Sequence, residues 1–212
     1  MKSQRSNTMV PKDVKSAVTD WTKFSDDVGK YGISANCAWS ELAKADEGLA
    51  YCERILQAID AESRPATVSE KDRALRELMA GYLGHGANEM KAFGVVLAKH
   101  INGMNPGLYA LRHGCEAALL ESKYFPSVAT VYQAISGVES DVQALRDTVK
   151  RLRATRDSIQ KVKDEYDRGR EEARKTELRH QCFAAIREGG DLSVFEPELV
   201  EGCRKWLERS HG

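Results

Sequence analysis

The chain reads as an all-α protein built from an N-terminal helical hairpin, a small four-helix domain, a long coiled-coil helix and a C-terminal amphipathic helix. Three observations predict that class. Only five prolines interrupt 212 residues, charged residues reach 30%, and no long run of alternating Val, Ile and Thr appears. Apolar positions recur instead every three or four residues, the spacing of one helix face. An apolar content of 42% is enough for a core.

Residues 1–10 are polar and are expected to form a flexible tail. From Pro11, the positions Val14, Val18, Trp21, Phe24 and Val28 mark a helix that the glycines of Gly29–Gly32 end. Ser34 is placed to cap a second helix, in which Leu42, Ala45, Leu49, Cys52, Leu56 and Ile59 make a heptad-like seam. Two helices joined by a short glycine loop fold most simply as an antiparallel hairpin, here over residues 11–62. The segment Glu62–Thr67 breaks the pattern and is the expected linker and subdomain boundary.

A compact helical domain is expected over residues 69–136. Ser69 and Asp72 resemble a weakened capping box, opening a helix with Leu75, Leu78, Met79 and Tyr82 that ends at Gly84, Gly86 and Asn88. The next helix carries Met90, Phe93, Val96, Leu97 and Ile101 and closes at Asn102-Gly103. Asn105 then caps a third helix with Pro106 in its first turn and Leu108, Leu111, Cys115, Ala118 and Leu119 on one face. Pro126 blocks the helix before it and opens a fourth, striped by Val128, Val131, Tyr132 and Ile135.

Ser136 and Glu139 form an S-x-x-E capping box, so a new long helix is expected over residues 137–188. Its stripe, Val138, Val142, Leu145, Val149, Leu152, Thr155, Ile159, Val162 and Tyr166, is narrow and heavily flanked by charge. Such a stripe is a coiled-coil seam, and it needs a partner either in the 35–60 region of the same chain or in a second copy. Gly189-Gly190 ends it. Residues 191–212 form a last module, with Pro197 near its start and Leu199, Val200, Cys203, Trp206 and Leu207 opposite Arg204, Lys205 and Arg209. A terminal helix with a Trp-bearing face either docks on its own coiled coil or fills a partner's groove, and Phe195, Leu199, Trp206 and Leu207 are the expected partner-binding residues.

Chemistry is hard to find in this chain. Thirty-two basic and thirty-two acidic residues cancel, so nucleic-acid binding would have to come from a local patch. The densest is Lys150, Arg151, Arg153, Arg156, Lys161 and Lys163, which reads either as a phosphate-tracking face or as the solvated flank of a coiled coil. Glycines near Lys30 and in Gly81–Gly86 lack the Lys-Ser/Thr continuation and preceding strand of a nucleotide loop. His113/Cys115 and His180/Cys182 repeat an H-x-C spacing, yet residues two apart on a helix diverge by some 200° and would not chelate one ion. His85 has no adjacent nucleophile or acid in the sequence. No catalytic residue, metal site or cofactor is expected. Five scattered cysteines and the lack of any signal-like or membrane-spanning apolar run fit a cytoplasmic protein.

From about Leu75 to Ile135 the order of features resembles the folded helical domain of phage replicative helicase loader and inhibitor proteins. The likeness is carried by LRELMAGYL, AFGVVLAKHI, NPGLYALRHGCEAALLESKYF and above all SKYFPSVATVYQAI, where Tyr124, Phe125, Pro126, Ser127, Val128 and Ala129 supply an aromatic-Pro-Ser corner. Thr130 departs from the acidic residue expected there. The resemblance implies a non-enzymatic replication accessory protein that binds a hexameric replicative helicase, holds it inactive or loads it, and works beside an initiator protein or single-stranded DNA. By position it places helicase contact in the segment after the small domain. Two other readings rest on the residues alone: a scaffold that self-associates as a homo-oligomer through the Val138–Tyr166 seam, and a DNA-binding regulator using the 150–163 basic face.

Overall fold

The computed structural model describes residues 11–82, 87–121 and 125–210. It is all-α: α1 (Pro11–Tyr31), a 3₁₀ turn (Ala35–Cys37), α2 (Ala38–Asp60), α3 (Val68–Ala80), α4 (Ala87–Met104), α5 (Leu108–Glu121), α6 (Val128–Glu188) and α7 (Pro197–Ser210). The expected tail, the Gly84-His85-Gly86 stop and Tyr124 of the aromatic corner lie outside the described residues. The chain divides into two compact units. The first takes the described residues up to Gly32 together with Ser40–Asp157, and the second takes Ile33–Trp39 together with the residues from Ser158.

In the first unit α1, α2 and the early part of α6 form a three-helix bundle. Lys15–Asp141, Thr22–Thr148 and Asp26–Arg151 pair α1 with α6 in parallel, and Asp60–Arg146, Glu53–Arg153 and Asp46–Arg156 pair α2 with α6 antiparallel. The five ion pairs among these fix register more than stability, at about 0–1 kcal/mol each. The stability comes from the seam between them, since Val138, Val142, Leu145, Val149 and Leu152 are all buried. On α2 the buried stripe is Ala45, Gly48, Cys52, Ile55 and Ile59, whereas Leu42, Leu49 and Leu56 are only half-buried. Gly48 is part of that seam because the Trp21 ring lies where its side chain would be; an added Cβ would come within 2.5 Å of the ring.

Helices α3, α4 and α5 complete this unit around a central α5, whose Tyr109, Ala110, Leu111, His113, Gly114, Cys115 and Ala118 are all buried. The segment expected as a linker is stapled to the start of α5. Ala66 N–H donates to Pro106 O, Leu108 N–H to Arg64 O and Tyr109 N–H to Glu62 O, at 2.9–3.1 Å. The boundary expected at 62–67 therefore falls inside one unit. The cap of α3 is Thr67, not Ser69: Thr67 and Glu70 exchange a complete capping box, and Arg64 binds the Glu70 carboxylate. Those donors hold Glu70 well below the usual carboxylate range, at about 2, with Arg64 the largest cause and Thr67 next.

Asn105 does the opposite of what its sequence suggests. It has φ +48° and donates its N–H to Ile101 O, so it ends α4 in the left-handed conformation and does not begin α5. Its side-chain Oδ1 accepts from buried Lys71 Nζ at 3.2 Å, tying this turn to α3. Phe125 stacks edge-on against Tyr82 and Phe93, closing the end of the domain. Ser127, not Pro126, caps α6, accepting from Thr130 N–H at 3.0 Å. Ser136, read as a new start, lies within α6: the helix runs unbroken for 61 residues because Val131, Ile135, Val138 and Val142 keep one stripe in phase across it.

In the second unit, Trp39 meets Tyr166 edge-on at 5.6 Å and Lys163 Nζ lies 5.1 Å over the Trp39 ring. Ser34 makes no side-chain cap bond. Residues 168–181 of α6 are exposed on every side, and pairs such as Glu171–Lys175 support that turn-by-turn solvated stretch. Gly169 lies in it without ending it. The stop comes at Gly189, φ +68°, where Gly190 N–H returns to Ala185 O at 2.8 Å in a Schellman turn.

Candidate partner-binding site

The site is built where α7 folds back on the last turns of α6. Asp191 accepts from Ser193 N–H, which lowers its carboxyl's pKa, and Phe195 N–H donates to Leu192 O, so the connection is a set of tight turns. Pro197 then starts α7 in the first turn, where its missing N–H costs nothing. Two contacts hold the helix down. Cys203 is buried against buried Cys182, and the Phe183 and Trp206 rings meet at 5.1 Å. Desolvation is the largest cause of the raised Cys203 thiol pKa, with the hydrogen-bonding contact to Cys182 second, so both act as small apolar plugs.

Between the helices is a hollow of about 690 Å³, lined by Phe183, Leu199, Cys203 and Trp206 and rimmed by Arg179, His180, Glu196 and Glu198. Of the four residues expected to bind a partner, Leu199 and Trp206 line it. Phe195 and Leu207 are half-buried, and neither is among the lining residues. Trp206 keeps 54% of its surface exposed although it stacks on Phe183. Arg179, His180 and Phe183 join the lining only because α7 returns to α6, which no local sequence pattern records.

The six basic residues are split between the units. Arg151, Arg153 and Arg156 reach Asp26, Glu53 and Asp46 on neighbouring helices, and Lys150 reaches Asp147. The hydrogen bond to Asp46 is the largest cause of the raised Arg156 pKa. Lys163 reaches Asp167 at 2.9 Å, while Lys161 has no ion-pair partner among the described residues. Neither H-x-C pair points at one ion: His180 rims the hollow while Cys182 faces Cys203, and His113 and Cys115 are both buried within the first unit. Among the described residues there is no group of three or more His, Cys, Asp or Glu arranged to hold a metal ion. No described helix is long and apolar enough to cross a membrane.

The fold and site together define an all-helical chain with a half-exposed tryptophan over a groove between the end of its long helix and α7. Comparison with known protein families, with characterised proteins and with solved structures gave no match.

Proposed function

We propose that this chain is a non-enzymatic accessory protein of DNA replication that grips a hexameric replicative helicase through the α6–α7 groove and thereby loads or inhibits it. The observation that carries the gripping role is the half-exposed Trp206 over the Phe183–Leu199 hollow. The choice of a helicase as the gripped machine rests on the family resemblance over Leu75–Ile135. Burying the remaining Trp206 and Leu199 surface in a partner is worth about 1.5–3 kcal/mol per fully buried side chain before ordering costs. A ring motor is held or opened by a binder that prefers one of its states, and a preorganised groove supplies that preference without chemistry.

The reading predicts a mixed complex when the full chain and a hexameric replicative helicase are sedimented together. Trp206→Ala and Leu199→Ala, both at or near the surface, weaken that complex while leaving the far-ultraviolet circular dichroism unchanged. A helicase that sediments free of the chain, or a complex indifferent to both substitutions, overturns the reading.

A further inference from the structure

Helix α4 carries two adjacent exposed valines, far in sequence from the α6–α7 groove. Val95 is 67% exposed and Val96 47%, with Tyr132 of α6 beside them at 45%. Two hollows meet at Val95. One, about 640 Å³, lies between α3 and α4 and is walled by Leu75, Met79 and Met90. The other, about 530 Å³, lies between α4 and α6 and is walled by Val96, Met104 and Tyr132. Gly94 deepens the first, since a Cβ there would stand 3.1 Å from the Met79 sulfur. Together they make an apolar track along α4 with methionines on its sides, which adapt to an incoming side chain.

The rim is predominantly basic, with Arg76, Lys91 and Lys99 outnumbering one carboxylate. Arg76 and Lys91 border the first hollow and Lys99 and His100 the second, against Asp72 as the carboxylate among the lining residues. Lys91 and Lys99 have no ion-pair partner among the described residues, and Arg76 Nε donates to the Asp72 backbone carbonyl, leaving the Asp72 carboxylate unused by it. An apolar track between lysines selects an occupant with an apolar stripe flanked by carboxylates. Among the described residues there is no strand edge to add a β-strand to, so the occupant that matches a groove alongside a helix is another helix, anchored at i, i+3, i+4 and i+7. We propose that the α4 face is a docking site for an acidic amphipathic helix of a partner protein. It is a second interaction surface, independent of the α6–α7 groove.

The test uses the full chain and two fluorescein-labelled peptides of about 18 residues, five helical turns. Both carry leucines on one face; one is flanked by Glu, its twin by Lys. Fluorescence anisotropy should show the Glu peptide binding at least roughly tenfold more tightly than the Lys peptide, a gap that shrinks at high salt. Val95→Glu with Val96→Glu should abolish binding. Lys91→Glu with Lys99→Glu should invert the preference, which a merely unfolded variant would not do. Equal binding of both peptides, binding to neither, or an unchanged response in the Val95/Val96 variant overturns the proposal. So would sedimentation showing a homodimer lost in that variant, which assigns the face to a second copy, or co-flotation with phosphatidylcholine–phosphatidylglycerol vesicles, which assigns it to lipid.

Discussion

Two glycines near the α5–α6 crossing should respond to the same substitution with opposite signs. Gly114 lies where α5 meets α6; a Cβ there would come 2.5 Å from Ile135 Cα and 2.8 Å from its backbone nitrogen. Those are backbone atoms of a helix, so they cannot move aside as a flexible side chain would. Gly137, two residues along α6 and so on its opposite side, has nothing within 4 Å of an added Cβ. Alanine in place of glycine inside a helix gains about 1 kcal/mol from lost unfolded-state freedom. Gly137→Ala should therefore stabilise by about 0.5–1 kcal/mol. Gly114→Ala receives the same gain but must push two buried helices apart, an overpacking cost of about 1–3 kcal/mol that leaves it neutral at best and destabilised by up to about 2 kcal/mol. Urea unfolding followed at 222 nm resolves the pair as shifts of the midpoint in opposite directions at constant slope. Gly114→Ala with a midpoint above that of the parent chain would refute the close crossing on which the helical domain is built.

Further outcomes follow from the same contacts. Asn105→Gly keeps the left-handed stop of α4 and loses only the Lys71 hydrogen bond, whereas Asn105→Ala loses both; thermal melts should rank parent, Gly and Ala in falling order, and equal melting of the two variants would contradict that split. His113 is buried beside Tyr109, its Nδ1 is 3.4 Å from the Glu116 carboxylate without hydrogen-bond geometry, and desolvation outweighs Glu116 and Glu62 in lowering its pKa below 6.5. The unfolded chain therefore takes up a proton first, so stability should fall as pH drops below about 6.5 and level off below the folded pKa. His113→Leu should flatten that part of the pH profile, and an unchanged profile would show that another group causes it. Glu70 follows the same sign from a different cause, charge-assisted hydrogen bonding in place of desolvation: its contribution is present above the unfolded value of 4.5 and disappears as pH falls toward about 2, which a carbon-13 carboxyl titration reads directly.

The helices themselves were legible because their apolar spacing is strong, and the errors occurred where one residue type serves two ends of a helix. Asn-Pro at 105–106 has the composition of a start, but asparagine also tolerates positive φ, and Lys71 behind it decides for a stop. Ser136-x-x-Glu139 is a local capping signal that the continuous stripe from Val131 to Val142 overrides, since breaking the helix would turn buried valines out of the core. On α2 Ala45, Cys52 and Ile59 of the expected seam are buried, while Gly48 and Ile55 take the places expected for Leu49 and Leu56; Gly48 carries no hydrophobicity of its own and shows its role only through the Trp21 ring packed over it. The seam's choice of partner was not readable from α6 alone. It became visible only through carboxylates on α1 and α2 that match the arginines of α6 in register. At the candidate site Leu199 and Trp206 were legible as an amphipathic face, while the walls contributed by α6 depend on the Cys182–Cys203 contact across a turn.

The most direct measurement isolates the Trp206 signal. With Trp21 and Trp39 replaced by phenylalanine, the emission of Trp206 is followed as a hexameric replicative helicase is added. The account predicts a blue shift that saturates at one defined stoichiometry and is absent when Leu199 is changed to Ala. Emission that stays at its solvent-exposed wavelength while helicase is in excess would contradict the claim that this groove grips the ring.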